Sequence, residues 1–213
     1  MAKAAVAKAA GEALREPAPS KRQAILGAAA EVFLREGYGA ASMDAIARVA
    51  GVSKATVYAH FANKEALFAA IIEGGARSRF SDLDTDVAAG DIATALRGIA
   101  QRFFDMVLTP GGLAIYRVVV AESVRFPELG RAFYENGPQV TRSSIERFLR
   151  RAVKRGLLKI DNPRLAGDQF VGMIKGDLYL RLLLGIVNET SQAEIDEAVE
   201  HAVAAFLAAY APR

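Results

Sequence analysis

Two short helical patterns, each opened by a serine and divided by Gly51, fill residues 42–61, and few arrangements accommodate such a pair. Ser42 can cap the first, since its hydroxyl accepts from an orphan backbone N–H, and Asp44 suits the positive end of the helix dipole. Met43, Ile46, Val49 and Ala50 supply its apolar face, and Gly51 provides the left-handed residue that ends it. Ser53 then caps a shorter second helix of unusual composition. Only Val57 and Phe61, at i and i+4, with Val52 before the cap, are large apolar anchors. One narrow stripe therefore holds this helix down, and Lys54, Thr56, Tyr58 and His60 project. Two short helices joined by such a turn, the second with a polar outer surface, describe a helix-turn-helix unit whose second helix enters the major groove of DNA.

The flanking sequence supports an all-α reading. Ser20 and Gln23 have the spacing of a capping box, Ile25, Ala28, Ala29, Val32 and Phe33 recur at helical period, and Gly37 stands where that first helix should stop. Asn63 opens a fourth helix with the stripe Leu67, Phe68, Ile71 and Ile72, continuing toward Phe80 with Gly74-Gly75 as a bend. The polar stretch Ser81–Asp86 reads as a connection. Its alternating aspartates lack the glycine and distal glutamate of a calcium loop. Helical periodicity resumes over 92–108, 113–124, 127–155 with a kink at Gly137-Pro138, and in two C-terminal segments. Val118–Val120 is β-branched, yet Tyr116, Glu122 and Val124 flank it at helical spacing and no partner strand is visible, so it reads as buried helix. The expected organisation is a flexible arm over 1–19, a three-helix helix-turn-helix DNA-binding domain over 20–66, and a larger helical ligand-binding and dimerisation domain over 67–213, with about nine helices.

Composition narrows the function classes. The 213 residues include no cysteine and two histidines, which leaves no thiolate chemistry and little for a metal; no cofactor and no metal are expected. The longest apolar run, Leu178–Val187, is interrupted by Arg181 and falls short of the roughly 20 residues a bilayer span needs, so no membrane partner and a cytoplasmic location are expected. The first 19 residues lack the apolar region and cleavage pattern of a secretory signal. An amphipathic targeting peptide is the alternative there, weakened by Glu12 and Glu16. Formal net charge is +3, but through residue 64 nine basic residues face five acidic ones, so the excess lies in the N-terminal third, where a polyanion would be favoured; an ordinary solvated face is the alternative, and charge alone does not decide between them.

The continuous run Glu36–Phe68, including Gly51-Val-Ser-Lys-Ala-Thr-Val-Tyr-Ala-His-Phe-Ala-Asn-Lys-Glu-Ala-Leu-Phe68, resembles the DNA-binding head of the TetR/AcrR family of transcriptional regulators, with the match extending through 21–72. The resemblance implies a phosphate contact at Ser42, base-edge contacts at Lys54, Ala55 and Thr56, phosphate grips at Tyr58 and His60, and a charged phosphate contact at Lys64. Ser53 belongs to the same set. Ala55 is small enough for close approach or a thymine-methyl contact. The bland alternatives are that Tyr58 and His60 cover the core of the head and that Lys64 is a solvated charge. A second run, Tyr116-Arg-Val-Val-Val-Ala-Glu-Ser-Val-Arg-Phe-Pro-Glu-Leu-Gly-Arg-Ala-Phe-Tyr-Glu-Asn-Gly-Pro138, is similar to the C-terminal body of AefR-like members. Together these imply a repressor that binds a pseudo-palindromic double-stranded DNA operator as a homodimer and is released by a small, largely apolar effector.

Aromatic and methionine side chains mark the candidate pocket: Phe103, Phe104, Met106, Tyr116, Phe126, Phe133, Tyr134, Phe148, Phe170 and Met173, with Arg117, Glu122, Arg142 and Lys175 as polar handles. Most are equally expected in a plain core. From Leu165 to Val187 apolar residues surround the helix, which must then be covered all round. A two-fold four-helix bundle would achieve this through Gly172, Gly176, Asp177, Tyr179, Arg181 and Leu182, with Val199, Val203 and Phe206 on the last helix; burial within the protomer's own core is the alternative. Two rival functions are weaker. Glu122, Asp168 and His201 form no catalytic motif, so no enzyme is expected, and an interaction module that had lost DNA binding would not keep Lys54, Thr56, Tyr58 and Lys64.

Overall fold

The computed structural model describes residues 20–80, 83 and 91–212, which form ten helices and no strand among the described residues. The expected arm over 1–19 and most of the polar connection Ser81–Asp86 lie outside the described residues.

The head begins with α1 (Lys21–Ala40), where Ser20 and Gln23 make the reciprocal capping box: Ser20 Oγ accepts from the Gln23 N–H at 3.2 Å and Gln23 Oε1 from the Ser20 N–H at 2.9 Å. Regular helix ends at Gly37, whose φ of 78° and ψ of 166° leave the helical region. Helix α2 (Met43–Ala50) is capped by Ser42 and closed by Gly51 in the left-handed conformation; α3 (Lys54–His60) is capped by Ser53, and Phe61 follows as its C-cap. One expectation for α2 fails. Val49 is 37% exposed rather than part of the buried face, because Met43, Ala45, Ile46 and Ala47 already fill the contact with α1.

Helix α4 (Lys64–Phe80) runs unbroken through Gly74 and Gly75 and links head to body. The body adds α5 (Ile92–Val107), α6 (Pro110–Glu122), α7 (Pro127–Asn136), α8 (Pro138–Lys154), α9 (Pro163–Leu184) and α10 (Gln192–Tyr210). The break between α7 and α8 falls at Gly137, as the Gly-Pro pair suggests, and Val118–Val120 is helical. No single helix among the described residues is long and apolar enough to cross a membrane.

Two apolar cores divide the molecule. One gathers Ile25, Val32, Phe33, Ile46, Val57, Leu67 and Phe68 from the head together with Ile115, Val119, Leu129 and Ala132 from α6 and α7. The other is built from α5, α8, α9 and α10 around Leu96, Phe104, Phe148, Phe170 and Phe206. The last helix pair is therefore a core element on its inner side. Leu182, Val199, Val203 and Phe206, expected at a dimer face, are 3%, 4%, 1% and 0% exposed within the protomer, packed by α5, α8 and each other.

Candidate nucleic-acid interface and effector cavity

Helix α3 owes its position to few contacts. Val57 is fully buried and Phe61 is 5% exposed, while Lys54, Ala55, Tyr58, Ala59 and His60 stand in solvent and Thr56 is half-buried. Fully burying an apolar side chain contributes roughly 1.5–3 kcal/mol, so these two anchors suffice to dock a helix of seven residues. Ser53 Oγ accepts from the Thr56 N–H at 3.1 Å and lies 2.8 Å from Thr56 Oγ1, which ties both hydroxyls together at the N-terminus. Ser42 is exposed at the start of α2, with its Oγ accepting from the Ala45 N–H at 3.1 Å. The alternative in which Tyr58 and His60 cover the core does not hold: Tyr58 is 47% exposed and His60 is exposed.

Lys54 reaches back to α2, its Nζ 2.7 Å from Asp44 Oδ1. The hydrogen bond to Asp44 holds the ammonium above the usual lysine range. Lys64 is placed differently from the expected phosphate grip. Its Nζ donates to the carbonyls of Tyr38 at 2.7 Å and Gly39 at 3.3 Å and sits 4.5 Å from the Tyr38 ring centroid, so the ammonium is spent on the α1–α2 junction.

The same junction is held from the body. Glu122, at the end of α6, accepts from the Tyr38 N–H and the Gly39 N–H, and Phe126 packs its ring 5.7 Å from Tyr38. Phe126 thus belongs to an aromatic cluster with Phe33, Tyr38 and Phe68 rather than to a ligand pocket, and Glu122 is no pocket handle. Burial pushes the Tyr38 hydroxyl up to about 12.

Below the junction, α4 to α9 line a half-open cavity of about 730 Å³. Of the candidate residues, Phe103, Met106, Tyr116, Phe133 and Tyr134 line it, as do Arg142 and Lys175. The others are elsewhere. Phe104, Phe148 and Phe170 are 1%, 0% and 0% exposed in the second core, Met173 is 39% exposed on the outside of α9, and Arg117 donates to the Leu182 and Leu183 carbonyls at 2.6 and 2.8 Å, closing the C-terminal end of α9. Sequence reasoning missed Ile71, Ile72, Thr141 and Asp168 as lining residues and assigned Tyr179 and Gly172 to another surface. Arg142 Nε donates to Asp168 Oδ1 at 2.6 Å and its Nη1 to the Tyr134 hydroxyl at 2.5 Å. Burial, then the nearby Arg142 charge, lowers the Lys175 ammonium below the usual range, and burial raises Tyr179 to about 12.

The outer side of the last helix pair is apolar and open. Leu165, Leu180, Leu184 and Ile186 are 52%, 50%, 64% and 67% exposed, and Ala204, Ala205, Ala208 and Ala209 are exposed on α10. A Cβ at Gly172 or Gly176 would meet no neighbour within 4 Å, so none of the described helices packs closely there, and Gly176, at φ 44° and ψ −153°, interrupts α9. Asp177 and Arg181 pair with each other along α9 at 2.9 Å. Glu122, Asp168 and His201 do not converge: the first holds the junction, the second pairs with Arg142, and the third is exposed on α10.

Comparison with known proteins agrees with this architecture. Residues 25–71 match the family model described as bacterial regulatory proteins, tetR family, and residues 94–212 match the AefR-like transcriptional repressor, C-terminal domain. The chain belongs to the TetR family of transcriptional regulators, DNA-binding proteins rather than enzymes. It is similar to a TetR-family transcriptional regulator from Mesorhizobium loti, at 30% identity and a TM-score of 0.77, covering 90% of this chain and 97% of that one. It is also similar to the flavonoid-responsive regulator FrrA, at 37% identity and a TM-score of 0.71, covering 91% and 98%. The transcriptional activator FasR of Mycolicibacterium smegmatis is 37% identical over 94 residues, a match that spans 44% of this chain and 43% of that protein.

Proposed function

We propose that this regulator acts as a homodimer that sets two copies of α3 into successive major grooves of a pseudo-palindromic operator, represses transcription there, and is released when a small, largely apolar ligand enters the body cavity. The observation that carries the DNA reading is the outward face of α3, exposed because, among the described residues, Val57 and Phe61 are the buried anchors that bear its packing. Lys54, Ala55 and Thr56 then meet base edges; Ser42, Ser53, Tyr58 and His60 contact the backbone. Lys64 acts indirectly, by ordering the turn that carries Ser42. Repression follows the description of the C-terminal domain, although FasR, similar over the stretch it shares, is named an activator.

Dimerisation through the outer faces of α9 and α10 is supported by the exposed leucines and the small residues of α10, which permit close helix approach. The two heads would then be spaced by one helical turn of DNA, about 34 Å, or a multiple of it.

Ligand release is supported by the cavity's wall. Helix α4 buries Leu67 and Phe68 in the head core and presents Ile71 and Ile72 to the cavity. A ligand that prefers one placement of α4 shifts the heads between two spacings, and the coupling is reciprocal.

Footprinting the protein on DNA upstream of its own gene, followed by titration of the protected fragment across salt, tests the first part. One protected two-fold site that survives competitor DNA, with affinity falling steeply with salt, is expected. Binding of equal strength to any duplex would end the operator reading.

A further inference from the structure

The polar groups of the body cavity do not balance. Arg79, Arg142 and Lys175 are its cations among the described residues, and Asp168 is its only carboxylate. Arg142 is matched, because Asp168 and the Tyr134 hydroxyl take two of its donors. Lys175 is not. No hydrogen bond or ion pair holds its ammonium among the described residues; its neighbours are the faces of Phe103 and Tyr179, with ring centroids at 5.9 and 5.3 Å. Ring faces offset part of the desolvation of this half-buried cation but offer its three N–H donors no protein acceptor. A further unmatched group lies on α8, next to Arg142 in sequence: Thr141 lines the cavity at 5% exposure, and its Oγ1 is buried with no hydrogen-bond partner among the described residues.

A buried hydroxyl without an acceptor and a half-buried ammonium without a counter-charge are each unfavourable in the empty protein. Both become favourable if the cavity receives a group that accepts hydrogen bonds and carries negative charge. Apart from these groups and a few hydroxyls, the walls are rings and aliphatic side chains, so the remainder of such a molecule must be apolar.

We infer that the effector is an amphipathic organic acid, whose carboxylate is received by Lys175 and the Thr141 hydroxyl while its apolar body lies against Phe103, Tyr116 and Phe133. The inference rests on the effector-release reading above and narrows it to one ligand chemistry. Lys175 determines specificity: it discriminates against neutral molecules of the same shape, because only an anion relieves its unpaired charge. The lowered proton affinity of Lys175 is consistent with a site awaiting a counter-charge.

Calorimetric titration of the full-length protein with biphenyl-4-carboxylate, 2-naphthoate and dodecanoate, each beside its primary amide, tests the assignment. At least one acid is expected to bind about tenfold or more tightly than its amide, the scale of one charge-assisted hydrogen bond. That advantage should fall to about twofold or less in Lys175→Met and shrink partly in Thr141→Val. The unliganded Lys175→Met protein should melt at or above the wild-type temperature, a readout independent of any ligand. Failure of every acid to bind ahead of its amide, retention of the preference by Lys175→Met, or a lower melting temperature for that variant would each overturn the inference. Operator binding measured on the same samples separates it from the release mechanism: a neutral amide that binds and frees the DNA upholds release and sinks the acid, whereas an acid that binds without moving DNA affinity does the reverse.

Discussion

Glu122 accepts the backbone N–H of Tyr38 at 2.8 Å, although 84 residues separate the two in the chain. Its second oxygen takes the Gly39 N–H at 2.7 Å, so one carboxylate at the end of α6 fixes the turn between α1 and α2. Glu122→Gln keeps the shape but turns one acceptor into a donor facing an N–H. A loss of about 1–3 kcal/mol is expected, read by urea denaturation, together with weaker operator binding. An unchanged midpoint would show that the carboxylate carries no weight.

Gly37 tests the same joint from the other side. At φ 78° and ψ 166° it occupies a region essentially confined to glycine, and a Cβ there would stand 2.6 Å from Glu122 Oε1. Gly37→Ala should therefore cost about 1–3 kcal/mol in strain and also displace Glu122. In a double-mutant cycle with Glu122→Gln the two effects should be less than additive; simple additivity would mean that the two positions do not communicate.

The Lys54–Asp44 pair gives a third expectation. Both side chains are 58% exposed, and exposed, solvent-screened pairs contribute little to stability. Asp44→Asn should leave the melting temperature nearly unchanged while tightening operator binding, because it frees Lys54 and removes a negative charge beside the DNA. Lys54→Ala should relax sequence preference, whereas Lys64→Ala, which frees the carbonyls of the α1–α2 turn, should lower thermal stability as well as affinity. Asp44→Asn binding more weakly would make the aspartate a positioning group for the lysine on DNA.

For the outer face of the last helix pair, Leu180→Glu and Ala205→Glu place a charge on exposed positions of α9 and α10. Each should leave helix content intact and shift the mass measured by light scattering toward a monomer, with loss of operator binding. A Phe206→Ala control acts on the protomer core instead, with a cost of about 3–5 kcal/mol. Unaltered mass in both glutamate variants would move the interface elsewhere.

The head could be read from the sequence nearly residue by residue, because caps, glycines and a two-residue apolar stripe are local signals with one physical solution. Ser20, Ser42, Ser53 and Gly51 do in the structure what their spacing requires. The body was legible as helices but not as surfaces. Phe103 and Phe104 are adjacent rings in contact and both belong to the second core, yet only Phe103 also faces the cavity, and nothing in their types separates them. Long-range polar partners were equally hidden: Glu122 reads as a pocket handle until the fold carries it to Tyr38, and Asp168 has no visible relation to Arg142 until α8 and α9 pack together. The all-round apolar character of α9 merged two different coverings. Leu182 is covered by the protomer, whereas Leu180 and Leu184 are not.

The first apolar core does not respect the division that the sequence suggests. Ile115, Val119, Leu129 and Ala132 complete the packing around Phe33, Val57 and Phe68. Residues 20–66 excised alone would present a raw hydrophobic seam to water, and a chimera grafting them onto a foreign body would need the matching surface of α6 and α7 as well. If α3 reads the operator as proposed, its specificity should be transplantable by exchanging the side chains of α3, and not by cutting and joining at the linker helix.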